Sequence, residues 1–238
     1  MSKKQDLVKA QSNEVVTQVN MSEWGDVVVE SKDLLLPKIL LLQAISEVVK
    51  QREGRDGDYY NTLLGEVCSN DKGEISILPF YCRQSYTVEK WNGKKFEFLR
   101  SDPHEVGEVR QYEVEDSTGR YKYLHNYEFF CMLENGGTPA SVTFRSTSHK
   151  AGQQLFNLMY VQNYEKGRTP AHNWITLGRR EQTNDMGTFW VMDIGMGRES
   201  VVEEVKECLK WITVIKKSAY KVKEEKPSAP SHTTETRF

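Results

Sequence analysis

From about Ile75 onward, apolar and polar residues alternate in short runs broken by turn residues, which is a strand pattern. Ile75 to Lys90 is long enough for a bent strand. Asn92-Gly93 is a hairpin turn signal leading into Lys95 to Leu99. Tyr121 to Leu133 reads as a third strand, and Gly136-Gly137 turns it into a fourth, Ala140 to Ser146. Two more strands, Asn173 to Arg180 and Thr188 to Ile194, flank the turn signal Asn184-Asp-Met-Gly187. Strict alternation puts Tyr81, Arg83 and Ser85 on one face and Phe80, Cys82, Gln84 and Tyr86 on the other.

Two segments carry a helical period instead. One is capped by Ser148 and places Ala151, Leu155, Leu158, Met159 and Gln162 on one side, ending before Gly167 and Pro170. The other opens with the capping box Ser200 and Glu203, and buries Val201 or Val202, Val205, Cys208, Leu209, Ile212 and Ile215. Leu34 to Lys50 fits a strand ending near Gln43 or a helix begun by Pro37, and the strand is preferred. The order is two hairpins, a helix, two strands and a closing helix. It predicts a mainly β, α+β fold: an OB-fold-like Greek-key barrel with one inserted helix and a C-terminal helix. A general α+β sandwich has the same element order.

The ends read differently. Residues 1–32 lack a period and are expected to form a flexible arm, and 33–217 a single domain. Lys216 to Phe238 holds six basic and three acidic side chains, two prolines and a Ser/Thr run. It is too polar to fold, so 218–238 is expected to be a disordered tail.

Composition changes little: 38% hydrophobic and 28% charged residues support a core under a charged surface. Net charge is −2, so no global field favours nucleic acid or membrane, and such binding needs a local patch. Cys68, Cys82, Cys131 and Cys208 form no C-x-x-C and read as reduced core residues of a cytoplasmic protein. Residues 1–20 are polar and mixed in charge, so no leader is expected. Leu34 to Leu42, broken by Pro37 and Lys38, is too short to span a bilayer.

Catalytic and cofactor patterns are missing. Gly195-Met-Gly197 lacks the third glycine of a dinucleotide loop, and there is no Walker A, H-E-x-x-H or G-x-S-x-G motif. His104, His125 and His149 have no metal-ligand spacing, and Asp56-Gly-Asp58 reads as a turn. Glu128 and Asp193 could meet only through folding. The expectation is a non-enzyme without metal or cofactor.

One patch does stand out. Between Ser141 and Arg180, Arg145, Lys150, Lys166, Arg168, Arg179 and Arg180 face the single acid Glu165, with Phe144, Tyr160, Tyr164 and Trp174 interleaved. Cations that track phosphates beside rings that stack on bases are the makeup of a single-strand binding groove. Tyr81, Arg83, Tyr86, Lys90, Trp91, Lys94, Lys95 and Phe96 repeat the theme around the first hairpin. A solvated basic face over ordinary core aromatics explains the same residues. Trp91 and Trp174 are expected to stack on bases, and Trp190 and Trp211 to be core. Tyr121, Tyr123, Tyr127 and His125 share one face, and the core is slightly favoured for them because Phe129 and Cys131 continue it.

Leu36-Pro-Lys-Ile-Leu-Leu-Leu-Gln43, Gly57-Asp-Tyr-Tyr-Asn-Thr-Leu-Leu-Gly-Glu66 and Ile77-Leu-Pro-Phe-Tyr81 resemble segments of a widespread group of bacteriophage early proteins. Ser141-Val-Thr-Phe-Arg-Ser-Thr-Ser-His-Lys-Ala-Gly152 resembles the strand-into-helix segment of phage single-stranded DNA-binding proteins with an OB-fold. The similarity covers about residues 33–195, and Phe238 is similar to the terminal aromatic of such proteins. Their tails are acidic, whereas this one is basic. The resemblance implies a sequence-tolerant single-stranded DNA-binding protein of phage replication or recombination, acting in the host cytoplasm. Replication or recombination proteins would meet the tail, and homo-oligomerisation stays open. The alternatives are an interaction module inhibiting a host enzyme and a ring-forming strand-annealing recombinase.

Overall fold

The computed structural model describes residues 36–103, 111–134, 136–185 and 187–224. The arm assigned to 1–32 and most of the tail lie outside them, as does His104.

Ten strands form one large, open sheet: β1 (Lys38–Leu41), β2 (Tyr59–Asn61), β3 (Glu66–Val67), β4 (Ile75–Trp91), β5 (Phe96–Pro103), β6 (Gln111–Asp116), β7 (Gly119–Leu133), β8 (Gly136–Phe144), β9 (Asn173–Asn184) and β10 (Gly187–Glu199). Among the described residues four α-helices accompany them: α1 (Glu47–Lys50), α2 (His149–Asn157), α3 (Asn163–Glu165) and α4 (Val202–Glu224), with a π-helical stretch, Leu158–Gln162, joining α2 to α3. The molecule is thus mainly β with a few helices. The strand expected within Leu34 to Gln43 is present as β1, Lys38–Leu41, and the single turn of α1 follows it. β2, β3 and β6 carry too few alternating residues to be seen in the sequence. α4 runs into the stretch assigned to the tail.

The order is β10-β9-β4-β7-β8-β1-β2-β3, with β5 on β4 and β6 on β7. All these pairs are antiparallel except β1 with β8. β1 and β10 are linked by a side chain: the Gln43 amide accepts from Trp190 N and donates to Trp190 O, both at 2.9 Å. The pairing satisfies edge groups that no strand covers there.

Each face of the sheet has its own core. Ile39, Ile77, Phe129, Val142, Phe144, Leu155 and Ile175 fill the inner one, closed by α2. Gly152 allows the approach, since a Cβ there would lie 2.6 Å from Phe144 Cβ. Leu78, Phe80, Phe130, Met132 and Trp174 form the outer one under Cys208 and Ile215 of α4. Burying such side chains contributes roughly 1.5–3 kcal/mol each, which fixes α2 and α4 to opposite faces. A bulge between Pro79 and Tyr81 shifts the alternation, so Phe80 joins the outer core with Tyr81, against the simple period-two reading.

α4 starts slightly differently from the expected capping box. Glu204, not Glu203, accepts from Val201 N at 2.9 Å, and the Ser200 hydroxyl donates to Ala171 O. Val201, Val202 and Leu209, expected to be buried, are exposed. Ser148 does not cap α2 through its side chain; its hydroxyl accepts from Met192 N.

β4 and β7 are much longer than the body needs. Beyond Ser85 and Asn126 they run on with β5 and β6 as a four-stranded arm, β5-β4-β7-β6. At its end are the Asn92-Gly93 turn, where Asn92 Oδ1 accepts from Lys94 N and Lys95 N, and the Asp116 to Gly119 turn.

Candidate nucleic-acid interface

The sequence-derived candidates divide into three groups. At the arm's end, register puts Trp91 opposite Phe96 and Glu89 opposite Phe98, so the three rings share one face. Trp91 meets Phe96 edge-on with centroids 5.2 Å apart. The Arg120 and Lys122 cations each lie 5.7 Å from the Phe96 ring centre. Such contacts keep a cation beside a ring without burying it. Lys94 and Lys95 project from the adjoining turn and are exposed. Trp91 is 38% exposed and Phe98 68%. Lys90 points to the other face, 5.5 Å from the Tyr121 ring.

A second group stays at the surface of the body. Arg145 follows Phe144, which pairs with Tyr127, so it sits by the arm's root. Lys150 is exposed on α2 beside His149, whose Nε2 lies 2.9 Å from His125 Nδ1 on β7. This buried imidazole pair joins α2 to the arm's root and has no signal in the sequence, because the two residues are far apart along it. Lys166 and Arg168 are exposed after α3, with Arg168 3.6 Å from Glu199. Arg180 is exposed on β9. The forty-residue basic run is spread over β8, α2, the α3 end and β9, so nearness in sequence does not make it one groove.

The third group is already engaged within the fold, by burial or by a partner. Trp174 is 5% exposed, its Nε1 donating to Glu204 Oε2 at 3.1 Å and the Arg198 guanidinium 4.8 Å from its ring centre. It belongs to the core under α4, not to a stacking surface; His172, two residues before it, has its Nε2 3.2 Å from Glu199 Oε1. Tyr86, 1% exposed, is enclosed by Tyr112, Tyr123 and His125. Arg179 is half-buried, held by Asp58 at 3.2 Å and by the Trp190 ring at 4.9 Å. Gly57 makes that possible: at φ +85° it turns tightly, and a Cβ there would lie 2.8 Å from Arg179 Nη1. Asp56-Gly-Asp58 is therefore the expected turn, used as a clamp. Tyr81 is half-buried, stacked on Phe130 at 5.7 Å with Lys216 of α4 above it. Arg83 is exposed but already paired with Glu128, Nε to Oε2 2.9 Å.

The tyrosine row on β7 splits between the two expectations. Tyr127 and His125 are buried, while Tyr121 and Tyr123 are half-buried on the arm, Tyr123 stacked on Tyr112 at 4.5 Å. Trp190 and Trp211 are half-buried, Trp211 against the outer core. Glu128 and Asp193 stay on β7 and β10, with β4 and β9 between them. Sequence reading missed Phe98, Arg120 and Lys122. The alternation of Phe96 and Phe98 was the available signal, but β6, which fixes the arm as a sheet, was not recognised.

Among the described residues no three His, Cys, Asp or Glu side chains gather as a metal site. Burial pushes the Cys68 thiol up to about 11 and the Cys208 thiol up to about 12, which keeps both protonated at neutral pH. No helix among the described residues is long and apolar enough to cross a membrane.

The family model described as Pam3 phage gp34-like protein matches residues 8–205. The chain belongs to that family. It is thus a phage protein, as the resemblance in its sequence implied. No curated protein and no solved structure matches it.

Proposed function

We propose that this phage protein is a non-catalytic, sequence-tolerant single-stranded DNA-binding protein of DNA replication or recombination, working in the host cytoplasm, and that the arm carries the contact. The observation that carries the reading is the pair of solvent-exposed rings, Trp91 and Phe98, set on one face among Lys94, Lys95, Arg120 and Lys122. Flat rings accept any unpaired base by stacking, and nearby cations accept its phosphate.

The strand order supports an OB-fold reading. Taking β4, β7, β8, β9 and β10 as five barrel strands, their order in the sheet is fifth, fourth, first, second, third, with α2 after the third. We read that order as an OB-like arrangement, with β1, β2 and β3 added beyond the third strand. The arm then takes the place of the loop between the first and second strands, one of two loops by which such domains hold oligonucleotides. α4 occupies part of the outer face, which favours the arm over the barrel wall.

Titration of a labelled oligo-dT strand and of a blunt duplex of equal length tests the reading. Tighter binding of the single strand is expected, because paired bases hide their faces; equal affinity rejects it. The balance of charge on the arm favours a second reading, a protein partner such as a host enzyme, seated on the same rings. No binding of either oligonucleotide by the intact chain would favour it.

A further inference from the structure

The charges around the two exposed rings limit how much strand they can hold. From Ser85 to Asn126 the described residues hold six cations and six anions, so the arm offers no net field to a polyanion. Three of the cations are already in ion pairs: Lys95 with Glu97 at 3.4 Å, Arg100 with Asp102 at 2.8 Å and Arg120 with Glu113 at 2.6 Å. Lys90 is turned to the opposite face. On the Trp91 face this leaves Lys94 and Lys122 outside any ion pair among the described residues. Phe98 lies diagonally across from Trp91 on the neighbouring strand, a separation of roughly 7–8 Å in a sheet. That is room for two bases, one to each ring.

We propose, resting on the reading above, that the arm's end is a site for a short unpaired segment of roughly two or three nucleotides, bound through its bases with one or two phosphate contacts. It is not a track along which a long strand is coated. Ends, gaps and displaced flaps of DNA present such segments.

The test uses the full-length chain and dT oligomers from about two to about sixteen nucleotides, a range covering known single-domain site sizes. Affinity is corrected for the number of registers a longer strand offers. The expected result is a plateau by about four nucleotides, and a log–log salt slope of about −0.7 to −1.4, as one or two neutralised phosphates give on a single strand. Trp91→Ala and Phe98→Ala should each weaken binding about tenfold with unchanged melting, and Phe98→Tyr should restore most of it. Corrected affinity that keeps rising to the longest strand, or a slope steeper than about −4, overturns the short-segment proposal while leaving single-strand binding intact. No binding at any length overturns both.

Discussion

Trp174 and Trp91 look alike in sequence, each an indole among charged and polar neighbours, yet they end in opposite settings. In the body, α4 lies over the sheet, so Trp174 is sealed in, with Glu204 satisfying its N–H and Arg198 against its ring. In the arm, Trp91 and Phe98 keep much of their area in water while Arg120 and Lys122 rest on Phe96 between them. A cation beside a ring thus marks two different things. Covered by a second layer it is packing; left open on a single sheet it is the surface to which we assign the single strand.

The comparison is broken most severely at Trp174. Trp174→Ala should cost about 3–5 kcal/mol of stability, read in denaturant unfolding, with unchanged oligonucleotide affinity per folded molecule. Lost affinity at full stability would exchange the roles assigned to the two rings. Glu204→Gln comes next. Glu204 accepts from Trp174 Nε1, Val201 N and Arg198 Nη1 and Nη2, so the change should cost about 1–3 kcal/mol at pH 7. The Arg198 guanidinium, helped by the other two donors, holds the Glu204 carboxyl down at about 2, against an ordinary 4.5. A depressed carboxyl stabilises the fold fully above its unfolded value and loses that contribution as pH falls through the folded one. The melting gap between wild type and Glu204→Gln should therefore be widest near neutrality and close between pH 4.5 and about 2. A gap that is constant across that window would remove the ion pair from the account.

On the arm the effect moves from stability to binding. Trp91→Ala should lower single-strand affinity about tenfold, near 1.4 kcal/mol, and leave unfolding within roughly 0.5 kcal/mol of wild type. The smallest effect belongs to Arg180→Ala, within roughly 0.5 kcal/mol in stability and without effect on affinity. An affinity loss at Arg180 would bring the basic run of the body back into the interface.

Much of the fold could be read from the chain, because long alternating runs and two helical periods are local signals. β4, β5, β7, β8, β9 and β10 fall where Ile75 to Ile194 alternates, and α2 and α4 follow their apolar spacing. What was hidden depends on pairing at a distance. The three-residue β2 exists through β1 and the two-residue β3 through β2, and β6 is visible only as the partner of β7. The bulge at Pro79 to Tyr81 and the seat of α4 decide which side of a strand is wet, and neither is written in the strand itself. This is why Trp91, Lys94 and Lys95 lie together at the arm's end, whereas Trp174 and Tyr86 are buried and Arg179 is tied to Asp58. Charge density along the chain was the weaker guide, since its six basic residues are shared among separate elements.

The central claim is that unpaired bases stack on the arm's exposed rings. It is tested most directly by titrating oligo-dT and an equal-length duplex against the intact protein and the double variant Trp91→Ala/Phe98→Ala, at matched salt and with melting curves for both. The account predicts that the wild type prefers the single strand. It also predicts that the double variant melts like the wild type and loses on the order of a hundredfold in single-strand affinity. A double variant that binds the single strand as tightly as the wild type would contradict it.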